Sequence, residues 1–162
     1  MTEDKRTPGY SQVEMTELVL PNDTNTLGNM LGGRLMHLID IAAAIAGARH
    51  ANRVAVTASV DGLNFLHPIK LGEVVILRSS VNRVFNTSME IGVKVFSQNL
   101  RTGELIHANS AYLTFVAVDE NGKPCRIPPI YPENPEDERR YREAFERRER
   151  RLQHRKHKQK RD

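Results

Sequence analysis

The sequence predicts an α+β fold in which a curved antiparallel sheet wraps around one long, buried helix. Apolar residues recur at helical spacing from about residue 30 or 32 to about residue 50, and most other positions there are apolar too. A helix that is apolar nearly all round is expected to be buried. One segment before this helix and four after it are rich in β-branched or aromatic residues, and they predict the strands: residues 13–20, 54–66, 74–84, 88–97 and 105–118.

The segments between these elements have the composition of loops and turns. A loop rich in Asn, Asp and Thr at residues 21–27 leads into the helix. In the strand at residues 88–97, apolar residues alternate with Glu90, Gly92 and Lys94, which predicts a sheet with one wetter face. The remaining turns are expected at residues 68–72, 85–87, 99–103 and 120–124.

The 162 residues are enough for one domain with a substantial core. We divide the chain into a flexible N-terminus at residues 1–12, a folded domain at residues 13–132 and a charged tail at residues 133–162. Residues 1–132 carry twelve basic and twelve acidic side chains, so the net charge of +4 comes entirely from the tail. The folded domain is therefore not expected to bind nucleic acid.

The tail is predicted to begin as a helix near Asn134, with acids in its first turn, and to fray into disorder. Tyr141, Phe145 and Leu152 give it only a thin apolar edge. One interpretation is a solvated tail that aids solubility. The other is an electrostatic attachment to RNA, to acidic partners or to the phosphates of a ligand.

Several classes of protein need residues that this sequence lacks. The single cysteine, Cys125, excludes an internal disulfide and a cysteine-based zinc cluster. The histidines show no metal-ligand spacing, so no metal is expected, and no Gly-x-Ser-x-Gly motif of a serine hydrolase is present. No apolar run is long enough to span a membrane, and the polar N-terminus lacks the apolar segment of a signal peptide. We therefore expect a cytoplasmic protein without membrane association.

Asp40 is the candidate functional residue in the apolar helix. A lone charge in such an environment costs several kcal/mol, so the carboxylate must be paired, protonated or functional. One interpretation is structural, with Asp40 capping a neighbouring backbone or pairing with an arginine. The other is functional, because a stripe of small residues leaves room for a ligand to reach the acid; the stripe consists of Met36, Asp40, Ala43, Ala44 and Gly47.

An ordered set of motifs around Asp40 resembles the acyl-CoA thioesterase family of hotdog fold, in its branch of broad-range bacterial and brain-type hydrolases. The resemblance covers roughly residues 13–128. It rests on Asp40 and on residues 21–25, 28–29, 32–33, 48–50, 57–61, 65–69, 72–73, 87–90 and 113–119.

The resemblance implies an enzyme that hydrolyses acyl-CoA to a free acid and coenzyme A. Asp40 corresponds to the catalytic carboxylate of the family, acting as general base or as nucleophile. Asn29 corresponds to an amide that orients water or substrate from the opposite subunit, although an asparagine before a helix is also a common N-cap. The family further implies a homodimer that shares its active sites, and an assembly of three such dimers into a hexamer.

Further candidate contacts follow from the residues themselves and from the resemblance. Gly32 and Gly33 allow close approach of the backbone, and at a helix start their N–H groups would face the thioester oxygen. The alternative for these two glycines is a tight helix entry without a ligand. Thr57 could place its hydroxyl near the pocket, or it could be an ordinary strand threonine. The family places the phosphates of coenzyme A near the β-turn that carries Arg83, Asn86, Thr87 and Ser88; the alternative is an ordinary β-turn without a ligand.

Coenzyme A would then be part of the substrate, with no cofactor and no metal required. An alternative function is an acyl-CoA sensor that binds without turnover. A hotdog hydratase would need a His–Asp pair that the sequence does not place.

Overall fold

The structure is a computed structural model that describes residues 5–161. Its body is a five-stranded antiparallel sheet in the order β1-β3-β4-β5-β2. The strands are β1 (Val13–Leu18), β2 (Val54–Val60), β3 (Val74–Val84), β4 (Ser88–Gln98) and β5 (Leu105–Val118). The helices are α1 (Pro8–Ser11), α2 (Gly32–Ala51) and α3 (Pro135–Gln159), with a 3-10 turn at Pro21–Asp23. The curled sheet around α2 is a hotdog fold, which confirms the predicted α+β class.

The strand boundaries agree with the prediction except at β2. This strand was expected to reach residue 66 and ends at Val60. The Asp61 N–H still donates to the Tyr112 carbonyl oxygen at 2.9 Å, but beyond it the chain leaves the sheet. Gly62 and Pro68 lie in the segment that follows, and both residue types weaken strand pairing.

The core lies between α2 and the sheet. Met89, Ile91, Val93 and Val95 of β4 are fully buried. The side chains of Met89 and Ile91 lie so close to Gly47 of α2 that an added Cβ there would be 2.8 and 2.9 Å from them. Gly47 is therefore required for close packing of the helix on the sheet. The small residue at this position, which we had associated with access to Asp40, has a structural role.

One side of α2 is uncovered in the single chain. His37 and Arg49 are exposed, Ile45 is 36 % exposed, and Asp40 is half-buried. The expectation of a helix buried all round is thus wrong for the chain by itself. The apolar side chains that face away from the sheet leave a surface that includes Asp40.

Residues 5–12 are packed against the domain, whereas a flexible N-terminus was expected at residues 1–12. Arg6 donates to the His50 carbonyl oxygen at the end of α2, and the Arg6 carbonyl accepts from the Tyr131 N–H at 2.9 Å. Pro8 and Ser11 are buried. These contacts join distant parts of the chain, so local composition did not reveal them. Residues 1–4 of that segment lie outside the described residues.

α3 packs on the face of the sheet opposite α2. Its arginine Arg147 contacts Glu90 at 2.6 and 3.0 Å, and Arg151 contacts both oxygens of Asp61 at 3.1 Å. Glu90 alternates with residues that face α2, so it points to the outer face. The tail is therefore a continuous helix to Gln159 and its middle is docked, where fraying into disorder was expected. None of the helices within residues 5–161 is both long and apolar enough to cross a membrane.

Candidate active site

Asp40 and Thr57 meet at the uncovered side of α2. Thr57 Oγ1 donates a hydrogen bond to Asp40 Oδ1 at 2.6 Å. Asp40 comes from the middle of α2, and Thr57 from β2 at the point where its pairing with β5 shifts between Thr57 and Ser59. Such an irregularity re-aims a side chain and is frequent beside active sites. The fold thus joins two predicted site residues that are 17 positions apart.

The environment of Asp40 does not match the structural roles considered for it. Within residues 5–161, Asp40 pairs with no arginine and caps no backbone N–H group. The bond from Thr57 occupies Oδ1 and leaves Oδ2 with its full capacity to accept hydrogen bonds. A fixed, half-buried carboxylate with one unused oxygen can take a proton from water or attack an electrophilic carbon.

The start of α2 presents free backbone donors. Gly32 is the first helical residue, and the N-cap residue Leu31 makes no side-chain capping bond. The N–H groups of Arg34 and Leu35 both bond to the Leu31 carbonyl at 3.0 and 3.1 Å, so those of Gly32 and Gly33 remain without an intrahelical partner. Gly33 faces open space, whereas the ring of Phe65 lies 3.2 Å from the place of a Cβ on Gly32.

The loop before α2 is organised by Asn25. Its Oδ1 accepts hydrogen bonds from the N–H groups of Leu27 and Asn29 at 3.0 and 3.1 Å. Asn29 is not the N-cap of α2, which removes the structural alternative for that residue. The loop is also tied to the helix by an ion pair between Arg34 and Asp23 at 3.0 Å.

The helix start and Asp40 are too far apart within one chain to act on the same carbonyl group. Gly33 and Asp40 are seven residues apart on α2, which corresponds to about 10 Å along the helix axis. A reacting carbon must lie about 3 Å from its nucleophile, and its oxygen about 3 Å from the donors that stabilise it. Within residues 5–161 of one chain, the N–H groups of Gly32 and Gly33 and the carboxylate of Asp40 therefore do not form one site.

The turn between β3 and β4 carries the other predicted contacts. It is closed by a hydrogen bond from the Phe85 N–H to the Ser88 carbonyl at 2.8 Å. Asn86 is exposed, and Thr87 and Ser88 are half-buried. Arg83 donates to the Tyr141 carbonyl at 3.2 Å and lies 3.9 Å from the centre of the Tyr141 ring, so its guanidinium holds α3 in place.

The described residues contain no group of three or more histidine, cysteine, aspartate or glutamate side chains that could hold a metal ion. Asp40 is half-buried, and within residues 5–161 its side-chain hydrogen bond is with the hydroxyl group of Thr57. The donor set is that of an acid or base site built on Asp40 and Thr57.

Comparison with known proteins gives the family. The thioesterase superfamily profile matches residues 27–104. An uncharacterised acyl-CoA thioester hydrolase of Bacillus subtilis is 43% identical over 149 residues, which is 92% of this chain and 87% of that protein. This chain belongs to the acyl-CoA thioester hydrolases of the thioesterase superfamily. The predicted enzymatic activity, acyl-CoA thioester hydrolysis, is confirmed at this level.

Solved structures of acyl-CoA hydrolases share the fold of this thioesterase. The Staphylococcus aureus acyl-CoA hydrolase in complex with butyryl coenzyme A and coenzyme A has a TM-score of 0.89 and 36% identity, covering 96% of this chain and 95% of that chain. A hexameric acyl-CoA thioesterase has a TM-score of 0.90 and 40% identity, covering 93% and 96% of the two chains. Coenzyme A is a substrate or product group in such enzymes, and no cofactor is needed.

The S. aureus enzyme has also been solved with alanine in place of an aspartate, of an asparagine and of a threonine, the asparagine variant in complex with coenzyme A. In that enzyme the threonine follows the aspartate at the same spacing by which Thr57 follows Asp40 in this chain. The asparagine precedes the aspartate at the spacing by which Asn25 precedes Asp40.

Proposed function

We propose that Asp40 is the carboxylate that either attacks the thioester carbon or deprotonates water during hydrolysis. We also propose that Thr57 positions Asp40. The observation that carries this proposal is the 2.6 Å hydrogen bond from Thr57 to Asp40 at the uncovered side of α2. The spacing from Asp40 to Thr57 is also that of the substituted aspartate and threonine of the S. aureus enzyme.

The chemistry requires a base or nucleophile and a donor to the developing oxyanion. As a base, Oδ2 of Asp40 takes a proton from water while the water oxygen bonds to the thioester carbon. As a nucleophile, the same oxygen forms an anhydride that water then hydrolyses. In both cases the bond from carbon to sulfur breaks, and the thiol of coenzyme A leaves with a proton. The carbonyl oxygen becomes negative and is stabilised by backbone N–H groups.

A second copy of the chain supplies the missing donors in this proposal. Within residues 5–161, β2 is an edge strand that pairs with β5 alone, and three of its valines are exposed: Val54, Val56 and Val60. An unpaired, apolar edge is covered when two copies pair about a two-fold axis. The two α2 helices would then run antiparallel beside each other, and the Gly32-Gly33 end of one would approach Asp40 of the other. This arrangement removes the separation between donors and carboxylate that exists within one chain.

Two asparagines compete for the role of the amide that crosses the interface. Asn29 follows from the resemblance, and its side chain makes no hydrogen bond within the described residues. Asn25 precedes Asp40 at the spacing of the substituted asparagine in the S. aureus enzyme. Asn25 Oδ1 organises the loop, which leaves its NH₂ group free to donate to water or substrate. We favour Asn25.

The remaining contacts of the proposed site are with coenzyme A. We place its phosphates at the β3–β4 turn, with Arg83, Asn86, Thr87 and Ser88 as the predicted contacts. We also propose that three of the shared-site dimers assemble into a hexamer, which is the oligomeric state of a solved relative.

The test is the Asp40→Asn variant assayed with butyryl-CoA. Loss of the base should lower kcat by roughly 10²–10⁴ with little change in substrate affinity. Glu120→Gln is the matched control, because Glu120 is an exposed carboxylate in a distant turn. Normal turnover by folded Asp40→Asn would overturn the assignment. A sensor would instead bind acyl-CoA tightly and release no thiol in the wild-type form.

A further inference from the structure

The middle of α3 lies over the β3–β4 turn. The guanidinium carbon of Arg148 is 4.5 Å from the centre of the Phe85 ring, and Phe85 is the first residue of that turn. Arg148 is half-buried, so this stacking limits its freedom. The helix therefore holds a positive charge in place beside the turn that carries Thr87 and Ser88.

Arg148 differs from the other arginines of α3 that contact the domain. Arg147 and Arg151 are paired with Glu90 and Asp61. Arg148 forms no ion pair within residues 5–161, and the positions three and four residues away carry no carboxylate: Ala144, Phe145, Arg151 and Leu152. Stacking on a ring uses the face of a guanidinium and leaves its N–H edge able to donate. Fixed donors of this kind suit phosphate oxygens.

The turn lies at a suitable distance from the proposed thioester position. The strand register links Thr57 to the residue that precedes the turn. Thr57 of β2 pairs with Phe115 of β5, Phe115 pairs with Met89 of β4, and Met89 pairs with Val84 of β3. A line across the sheet from Thr57 to Val84 therefore crosses three spacings between strands. This line is about 14 Å long. The pantetheine arm between the sulfur and the first phosphate of coenzyme A has the length of about four extended residues, roughly 14 Å.

We propose that Arg148 of α3 binds the phosphate groups of the acyl-CoA substrate at the β3–β4 turn. This makes the charged C-terminal helix part of the substrate-binding machinery. It rests on the proposed function, because the distance is measured from the position of Thr57 and Asp40. Arg83 holds α3 through Tyr141, so it also positions the helix that carries Arg148.

The experiment compares butyryl-CoA with butyryl-pantetheine, which lacks all the phosphates. In the full-length enzyme, Arg148→Ala should raise KM for butyryl-CoA roughly tenfold, as expected for loss of a charged hydrogen bond, with kcat unchanged. KM for butyryl-pantetheine should not change. Arg142→Ala is the matched control, because Arg142 is exposed on the same helix and its substitution removes the same charge. The control should leave both substrates unaffected.

Two results would overturn the proposal. One is an unchanged KM for butyryl-CoA in folded Arg148→Ala. The other is an equal loss with both substrates, which would show that Arg148 only docks the helix. If Arg148→Ala does not fold, Arg148→Gln keeps a planar group on Phe85 and is judged by the same ratio of the two KM values. Failure of the proposed function would give a different result from failure of the role of Arg148, because Asp40→Asn would then retain turnover of both substrates.

Discussion

Asp40 and Glu90 are single carboxylates within apolar segments, but they have different environments. Asp40 is half-buried and bonded to a neutral hydroxyl. Glu90 is fully buried and accepts hydrogen bonds from Arg147 and Asn82. The buried, paired acid is thus Glu90, which sequence reasoning placed on a wetter strand face. The charge of Asp40 lies where a ligand can reach it, and that of Glu90 is used to hold α3.

His50 gives a pH dependence to stability at the residue scale. It is fully buried, with Nε2 2.8 Å from the Pro128 carbonyl oxygen. Burial lowers its pKa below the usual 6.5; the hydrogen bond to Pro128 opposes this, and the nearby charge of Arg6 adds to it. The unfolded chain therefore binds a proton near pH 6.5 before the folded chain does, and stability is lost as pH falls below that value.

We expect the midpoint of thermal unfolding to fall more steeply between pH 7 and pH 5 in the wild type than in His50→Gln. Glutamine keeps a donor for the Pro128 carbonyl but does not titrate. The control is His157→Gln, which changes an exposed histidine of α3. Parallel curves for the wild type and His50→Gln would contradict this role of His50.

At the scale of secondary-structure elements, α3 is the helix whose packing is least evident from its amino-acid composition. Its acids lie at residues 136–149, and residues 150–161 contain none. Arg139 pairs with Glu136 and Glu143 along the helix, and Arg147 reaches across to Glu90 of β4. The first part of α3 is therefore neutralised and docked, whereas residues 152–161 are exposed. The solvated helix that the sequence predicted exists only in this last part.

Removal of the Arg147 side chain should destabilise the enzyme strongly. Arg147→Met leaves the carboxylate of Glu90 buried without its charged partner, and this is expected to cost about 3 kcal/mol of unfolding free energy. Chemical denaturation measures the loss. Adding Glu90→Gln to Arg147→Met should restore part of it, because no buried charge then remains. Purely additive losses in the double variant would show that the pair is not coupled.

At the scale of the whole molecule, the proposed shared site predicts rescue between inactive subunits. Asn25→Asp keeps the acceptor oxygen that organises the loop but removes the NH₂ donor, and Asp40→Ala removes the base. When the two inactive variants are mixed and exchange subunits, half of the dimers are heterodimers with one intact site. Activity should return to about a quarter of the wild-type value.

Subunit exchange is checked by native mass spectrometry of the mixture. Repeating the experiment with Asn29→Ala in place of Asn25→Asp decides which asparagine crosses the interface. A mixture that exchanges fully and stays inactive, with both parents inactive, would rule out a site shared between subunits.

The sequence by itself determined the fold class, four of the five strands to within two residues, and the boundaries of α2. These depend on periodicities of two and 3.6 residues, which are local properties of the chain. The same reasoning selected Asp40, because one acid in an apolar helix is visible without knowing what surrounds the helix. The order of motifs gave the enzyme family.

Only the tertiary structure decided which residues meet. The contacts of Thr57 with Asp40, Arg6 with His50, and Arg147 with Glu90 join positions 17, 44 and 57 residues apart. The first and third contacts depend on strand register and on which face of the sheet a helix covers, and a shift of one residue would point Thr57 or Glu90 to the other face.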